Sequence, residues 1–417
     1  MKRYEKYKPT GIQWLPEIPV HWNISKIKSH FRLRATKVSD KEYSALSVSK
    51  NGITPQLDSA VKTDNGDNRK LVKSGDFVVN SRSDRKGSCG ISSLDGSVSL
   101  INIVLEPMDG FGQFYHHLFR SNNYIEEFYR NGRGIVSDLW TTRWNEMSSI
   151  EIPFPPIDEQ KHIAAYLDKR ITLIDNCKCQ RERELQTLNE LKQAEVASVV
   201  TRGLNPDVPM KDSGQIQFGK IPAHWDTIKM KYCFNQRSEK GFPNEPVLCA
   251  TQSKGVIPQS LYENRVVVVN KGFEGLKLVK VGDFVISLRS FQGGIEYAYY
   301  QGIISSAYTI LTPKDDRNSK YFKYLFKSHP FIQLLQTCVT GIREGQNINY
   351  SVLGNNFIPV PPIEEQNAIV EYIESKTNKI DTMIEALKAE IDRLTEYKQR
   401  LISDVVTGQI DVRGEQI

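Results

Sequence analysis

Apolar residues return every seven positions near the end of the chain: Ile373, Ile380, Leu387, Leu394 and Leu401. Ile384, Ile391 and Val405 follow members of that series by four residues, with Thr377 and Lys398 as interruptions. Spacings of seven and four place these side chains on one stripe of an α-helix, the seam of a coiled coil. An earlier stretch, Asp158 to about Thr201, keeps the same register at Leu167, Ile171, Ile174, Leu185, Leu188 and Val199. It sets Lys178, Arg181, Lys192 and Glu195 on the seam; Lys178, Arg181 and Lys192 either snorkel outward or mark where a partner subunit replaces helix–helix packing. Neither stretch contains Pro or Gly, whereas Pro155-Pro156 and Pro361-Pro362 stand just before them. Acids fill each first turn, as the positive end of a helix dipole favours. Each stretch predicts a helix of about 44 residues, roughly 66 Å long at 1.5 Å per residue. A helix of that length needs a partner along it, and the other copy is the obvious one.

The segments ahead of the two helices read differently. They are rich in Gly, Ser, Tyr and β-branched residues. Asp76-Phe77-Val78-Val79-Asn80 and Asp283-Phe284-Val285-Ile286-Ser287 read as short strands opened by a Gly-Asp turn. Short amphipathic helices are expected at Phe114–Ser121 and Tyr321–Ser328. The fold class is α+β, with two similar globular domains and two long helices.

The resemblance between halves is explicit. Ile18-Pro19-Val20-His21-Trp22 returns as Ile221-Pro222-Ala223-His224-Trp225, and Leu71–Val78 as Leu278–Val285. Ile152-Pro153-Phe154-Pro155-Pro156-Ile157-Asp158-Glu159-Gln160 returns as Ile358-Pro359-Val360-Pro361-Pro362-Ile363-Glu364-Glu365-Gln366. These offsets are 203, 207 and 206 residues, a tandem duplication of domains rather than a solenoid. The expected division is a globular domain at 1–156, a helix at 157–203, a second globular domain at 204–362, a second helix at 363–410 and a tail at 411–417.

Composition adds the charge distribution. The 417 residues carry a net charge of only +6. Residues 1–156 hold 22 Lys and Arg against 17 Asp and Glu, and residues 204–362 hold 18 against 12. The first helix is neutral and the second acidic, so two basic domains are joined by spacers without excess positive charge. That pattern suits two nucleic-acid contacts held apart. Six Cys without a pairing framework point to a reducing cytoplasm, and the basic start of the chain has no apolar core of a secretory signal. No apolar run approaches membrane length, so no membrane partner is expected.

Catalytic signatures do not emerge. There is no Gly-x-x-x-x-Gly-Lys-Ser/Thr phosphate loop, no Asp/Asn-Pro-Pro-Tyr/Phe element of an amino-methyltransferase and no Gly-rich dinucleotide loop. Cys177 and Cys179 lie two apart on a helix and so point to different faces, which makes surface or seam cysteines the better reading than a zinc site. His116-His117 reads as a packed or surface pair. His21 and His224 recur beside Trp22 and Trp225 with no carboxylate neighbour in sequence, which favours a repeated structural corner over a repeated active site. Asp158-Glu159 and Glu364-Glu365 are explained as helix-start charges.

Two copies of Ile-Pro-x-Pro-Pro-Ile-Asp/Glu-Glu-Gln, each opening a heptad helix and each following a domain of about 150 residues that carries Ile-Pro-x-His-Trp near its start, resemble the specificity subunit of type I restriction-modification enzymes. The resemblance covers essentially the whole chain. It implies that the globular domains are target recognition domains and that the helices form an antiparallel coiled coil. It implies a subunit with no catalytic site or cofactor of its own. Its partners would be double-stranded DNA, two methyltransferase subunits that bind S-adenosylmethionine, and restriction subunits that use ATP and Mg, the whole serving DNA methylation and phage defence.

Geometry independently favours such an arrangement. Two like domains approaching a duplex equivalently are related by a dyad perpendicular to it, and helices related by such an axis run antiparallel. Two reading elements on one face of DNA sit about 34 Å apart, one helical turn. Because the two domains differ in sequence, an asymmetric bipartite target is expected. The favoured contact residues leave the Gly-Asp strands: Arg82, Ser83, Arg85 and Lys86 in the first copy, and Arg289, Ser290 and Gln292 in the second. Arg can bond guanine and Gln adenine, whereas Lys and Ser more often hold phosphates. A second candidate group is Arg130, Arg133 and Arg143, matched by Arg343. Any one of these could equally be a solvated surface charge. Two other functions stand as alternatives: a coiled-coil adaptor that reads no DNA, and a stand-alone DNA methyltransferase or nuclease.

Overall fold

The computed structural model describes residues 2–57, 66–134, 140–262, 272–314, 319–341 and 347–416. Arg343, one of the candidate DNA contacts, lies outside them. The chain forms two compact units, and these do not follow the linear segments. Unit 1 comprises Met1–Glu182 with Lys388–Ile417, and unit 2 comprises Arg183–Leu387. Each therefore owns one globular domain, the start of one long helix and the end of the other.

In unit 1 the central sheet has four antiparallel strands in the order Cys89–Ile91, Phe77–Asn80, Asn102–Pro107, Phe31–Leu33. A three-stranded sheet orders Gly96–Val98, Arg69–Val72 and Lys37–Val38. A hairpin joins Leu46–Ser49 to Gly52–Pro55. Phe77, Val78, Val104 and Leu105 are all buried, so these strands carry apolar runs rather than an alternation. The core gathers Trp22, Phe31, Phe77 and Tyr115 from the domain, and it extends onto Ile163 and Leu167 of the first long helix and Leu401 and Val405 of the second.

Unit 2 repeats the plan. Its sheet runs Glu296–Tyr297, Phe284–Ile286, Thr309–Pro313, Phe234–Arg237, all antiparallel. Lys277–Val279 pairs with Gly302–Ile304, and the hairpin is Leu248–Thr251 with Gly255–Pro258. Its core joins Trp225, Phe234, Phe284 and Phe326 to Val199 and Val200 of the first long helix and Ile369 and Ile373 of the second.

The short helices lie slightly earlier than the sequence suggests, at Gly112–Leu118 and Ser319–Leu325, and each is followed by another, Asn122–Arg130 and His329–Thr337. The reason is the serine between them. Ser121 and Ser328 have extended backbones at the N-cap position, and each hydroxyl donates to the carbonyl three residues back, at 2.7 Å. One predicted helix thus ends where the next begins.

The long helices run Ile157–Arg202 and Ile363–Val406. Within unit 1, Arg181 pairs with Glu390 at 3.1 Å and Lys398 with Asp175 at 2.7 Å. Within unit 2, Lys192 pairs with Asp381 at 2.6 Å and Tyr372 donates to Glu195 at 2.5 Å. In both units rising numbers on one helix meet falling numbers on the other, so the segments are antiparallel. These pairs correct the expectation of snorkelling for Arg181 and Lys192, which are half-buried and each keep a carboxylate partner on the opposing helix; Glu195, on the same seam, accepts from Tyr372. Among the described residues no helix is long and apolar enough to cross a membrane.

Candidate nucleic-acid interface

The Gly-Asp turn organises each domain. Gly75 and Gly282 both take φ of +92°, a left-handed conformation that favours glycine. The next residue is a buried carboxylate. Asp76 Oδ2 accepts from the Lys73 amide at 2.8 Å and from Arg34 Nε at 2.7 Å. Asp283 Oδ2 accepts from the Lys280 amide at 2.8 Å and from Arg237 Nε at 2.9 Å. Asp76, foremost, holds the Arg34 guanidinium above its ordinary pKa; for Arg237 burial pulls the other way, and Asp283 with Glu239 outweighs it, so that guanidinium is also raised. Sequence reasoning missed both arginines, although Phe31-Arg32-Leu33-Arg34 and Phe234-Asn235-Gln236-Arg237 recur at the same offset as the Ile-Pro-x-His-Trp element.

The repeated corner was also only half read. His21 Nε2 lies 2.8 Å from Glu159 Oε2, and His224 Nε2 lies 2.8 Å from Glu365 Oε2. Tyr4 donates to Glu159 at 2.5 Å, and Trp225 Nε1 donates to Glu365 at 2.9 Å. The histidines therefore do have carboxylate partners, supplied by the helix starts across about 140 residues of sequence. Glu159 is 8% exposed, so it is a buried anchor as well as a helix-start charge. The end of the opposite helix completes each corner: a Cβ at Gly203 would lie 2.8 Å from Glu365, and one at Gly408 would lie 2.5 Å from Pro19. Residues 411–413, expected as a tail, pack here too: Val412 is fully buried, and the Asp411 amide donates to the Lys2 carbonyl at 2.9 Å.

On this frame the first-copy candidates come together. The Ser83 amide donates to the Trp140 carbonyl at 3.0 Å, and the Thr142 amide to the Ser81 carbonyl at 3.0 Å. Thr141 exchanges two backbone bonds with Arg133. Residues 81–83, 133 and 140–142 are thus bonded into one ledge, which brings Arg82, Ser83, Arg85, Lys86, Arg133 and Arg143 together, with Arg130 at the end of the helix beside it. Arg85 and Arg133 are 68% and 84% exposed, and Arg143 is also exposed. A groove of about 790 Å³ adjoins them, lined by Gln13, Trp14, Lys86, Asn122, Arg130 and Trp140 among others. Several cations already hold carboxylates: Arg82 with Asp84 at 3.1 Å, Lys86 with Glu126 at 3.1 Å, Arg130 with Glu127 at 2.6 Å and Arg133 with Glu146 at 3.5 Å. The Arg82–Asp84 and Lys86–Glu126 pairs are exposed on both sides and contribute at most about 1 kcal/mol, so phosphate can compete for those cations, whereas Glu127 and Glu146 are only 10% and 16% exposed.

In the second copy Arg289, at the N-cap of a short helix, Ser290–Gly293, and Gln292, within it, are both exposed. Ser290 differs from expectation. It is 2% exposed, and its hydroxyl accepts from the Ser287 amide at 2.8 Å, so it shapes the turn rather than facing solvent. Gly294 has φ of +84°, and a Cβ there would lie 2.2 Å from the Phe326 carbonyl. Glu296 follows, 2% exposed; burial pushes its carboxyl up to about 7, against the pull of Lys327 at 2.5 Å.

The remaining chemistry is sparse. Cys177 is half-buried and Cys179 exposed, both as free thiols. His117 Nε2 lies 2.8 Å from Asp168 on the first long helix. Among the described residues no three His, Cys, Asp or Glu side chains gather as metal ligands would.

Comparison with known proteins follows the same lines. Residues 220–393 match the family described as type I restriction modification DNA specificity domain. The type I restriction enzyme MjaVIII specificity subunit of Methanocaldococcus jannaschii is 27% identical over 283 residues, 64% of this chain and 63% of that one. The EcoBI specificity subunit of Escherichia coli is 22% identical over 330 residues, 71% and 65% of the two chains. The chain thus spans under two thirds of these relatives' length. In fold, it is similar to a chain from a type I R-M system solved to explain complex assembly and conformational transition, with a TM-score of 0.68 at 16% identity over 94% of this chain and 99% of that one. The HsdS subunit from Thermoanaerobacter tengcongensis gives a TM-score of 0.50 at 20% identity, covering 94% and 98%.

Proposed function

We propose that this chain is a specificity subunit of the type I restriction-modification kind, the family its match over residues 220–393 and its relatives point to, and that it reads an asymmetric, two-part DNA target and performs no catalysis itself. Each unit reads one half-site. The observation that carries this is the repetition of one scaffold with different contact residues. Both units share the strand order and the buried Arg–Asp turn, yet the first presents an arginine-rich ledge and the second presents Arg289 and Gln292. Like scaffolds with unlike tips suit two different short sequences.

The two long helices serve as the coiled-coil spacer and as the seat for partner subunits. Two methyltransferase subunits would bring S-adenosylmethionine, and restriction subunits would bring ATP and Mg. Arg130, Arg133 and Arg143 hold phosphates and set register, while Arg82, Arg85 and Gln292 are the base-reading candidates. The target is duplex DNA, and binding in the assembled complex weakens with salt as counterions are released.

The test is a genome-wide map of adenine methylation. The chain is co-expressed with a methyltransferase encoded beside it, with a control lacking the chain. A two-part asymmetric motif that appears only with the chain supports the reading. Methylation unchanged without the chain contradicts it.

A further inference from the structure

Each unit carries a hairpin whose tip the sequence reading passed over. In unit 1 the strands Leu46–Ser49 and Gly52–Pro55 are joined by Lys50 and Asn51; in unit 2 Leu248–Thr251 and Gly255–Pro258 are joined by Gln252, Ser253 and Lys254. All five tip residues are exposed. The backbone beneath them is not free to drift. Ser49 Oγ accepts from the Asn51 amide at 3.1 Å, and Thr251 Oγ1 accepts from the Lys254 amide at 3.0 Å. Each hydroxyl also donates across the turn, to the Gly52 and Gly255 carbonyls.

A second device recurs in both units. The residue before the capping serine is a cation, Arg120 or Lys327, and it donates to the carbonyl of the first tip residue. Arg120 Nη2 donates to the Lys50 carbonyl, and Lys327 Nζ donates to the Gln252 carbonyl at 3.2 Å. The cation's other partners differ. Arg120 Nη1 meets the His116 Nε2 lone pair at 3.1 Å, and that imidazole is pushed down to about 3, first by burial. Lys327 also donates to the Gly293 carbonyl at 2.8 Å and to Glu296 at 2.5 Å. Lys327 thereby ties the tip to the loop that presents Arg289 and Gln292. The two are in close approach: a Cβ at Gly293 would lie 3.0 Å from the Gln252 side chain. In unit 1 a Cβ at Gly90, on the strand after the Arg82–Lys86 loop, would lie 3.2 Å from Gly52.

We infer that these hairpin tips are a second DNA-reading element in each unit, with Asn51 and Gln252 facing bases, Lys50 and Lys254 facing phosphate, and Arg120 and Lys327 acting as positioning residues. The inference rests on the proposed DNA-reading function. Its grounds are the exposure of amide and ammonium groups on a locked turn, the recurrence of the clamp, and the contact of tip with candidate loop in unit 2. Asn and Gln amides match the adenine edge in the major groove, and Lys is a phosphate ligand. The tips differ in length and composition, as readers of unlike half-sites must.

The experiment uses the full chain with its methyltransferase and maps methylation for Asn51→Ala, Gln252→Ala, Lys327→Met and Lys327→Arg. Asn51→Ala is expected to relax the base preference at one position of the half-site that residues 1–156 control. Gln252→Ala should do so only in the half-site that residues 204–362 control. A lost bidentate base contact corresponds to roughly five- to 150-fold less discrimination. Lys327→Met should blur the same half-site as Gln252→Ala and leave the other intact, with Lys327→Arg restoring it. A purely structural role for Lys327 would instead lower methylation at every site without changing the motif. A wild-type motif that neither tip substitution alters overturns this inference alone. A wild-type chain that confers no motif overturns the DNA-reading function and this inference with it.

Discussion

Removing the carboxylate at the Gly-Asp turn should unfold one unit far more than the exposure of the turn suggests. In Asp283→Ala, Arg237 loses a partner at 2.9 Å, the Lys280 amide one at 2.8 Å and the Thr312 hydroxyl one at 2.9 Å. The Arg237 side chain is only 13% exposed, although Glu239 at 2.6 Å remains beside it. Stripping one member from a buried pair costs about 3–5 kcal/mol, and the residual contact to Glu239 places the expectation at the lower end. The assay is hydrogen exchange of the full chain read peptide by peptide. Protection of the strands Phe284–Ile286 and Thr309–Pro313 should fall by about a hundredfold, since each 1.4 kcal/mol is a factor of ten. The equivalent strands of unit 1 serve as the internal control. Asp76→Ala should reverse the pattern. A double variant, Arg237→Leu with Asp283→Leu, should cost less than the two single changes added, because it leaves no buried charge unpaired. Unit 2 protection within threefold of wild type in Asp283→Ala would refute the reasoning.

Three further outcomes follow from the packing. Gly408→Ala should destabilise unit 1 by about 2–4 kcal/mol in thermal melts, combining left-handed strain with the 2.5 Å approach to Pro19, whereas Gly11→Ala, with φ of +76° and open space around it, should cost about 1–2 kcal/mol. The Glu296 carboxyl binds its proton more tightly folded than unfolded, so unit 2 should lose stability as pH rises from 4.5 to about 7, by an amount on the order of 3 kcal/mol; Glu296→Gln should flatten that slope in exchange-detected pH profiles, and an unchanged slope would contradict it. The Lys192–Asp381 pair is 31% and 46% exposed, so Lys192→Glu should cost about 1 kcal/mol or less in denaturant melts at low salt, and adding Asp381→Lys should restore it.

The sequence made the long helices legible because a seven-residue period sustained over more than 40 residues has only one helical explanation. Their starts lie where Pro-Pro bars the helix, before Ile157 and Ile363; the first ends at Arg202 against an expected 203, and the second at Val406, four residues short of the expected 410, because Gly408 turns the chain. The strands around Phe77 and Phe284 were visible from the Gly-Asp turn that opens each of them. What stayed hidden were contacts between residues far apart in sequence. Arg34 with Asp76 and His21 with Glu159 leave no local signature. Each contact joins two elements that are both duplicated, and that joint recurrence was the available signal. Ser290 misled because a serine beside an arginine reads as a surface pair, while its backbone places the hydroxyl under the turn. The hairpin tips were passed over although Gly52-Ile53-Thr54-Pro55-Gln56 returns as Gly255-Val256-Ile257-Pro258-Gln259 after each of them; the tips themselves differ by one residue in length, and the hydroxyls and cations bonded to their backbones make the equivalence plain.

The central claim is that each unit reads its own half of the target. The most direct measurement exchanges residues 1–156 for the corresponding domain of a relative with a different sequence preference and maps methylation in the otherwise unchanged system. One half-site should change while the other half and the spacing stay as they were. A motif that stays whole, or that changes in both halves at once, would contradict the account.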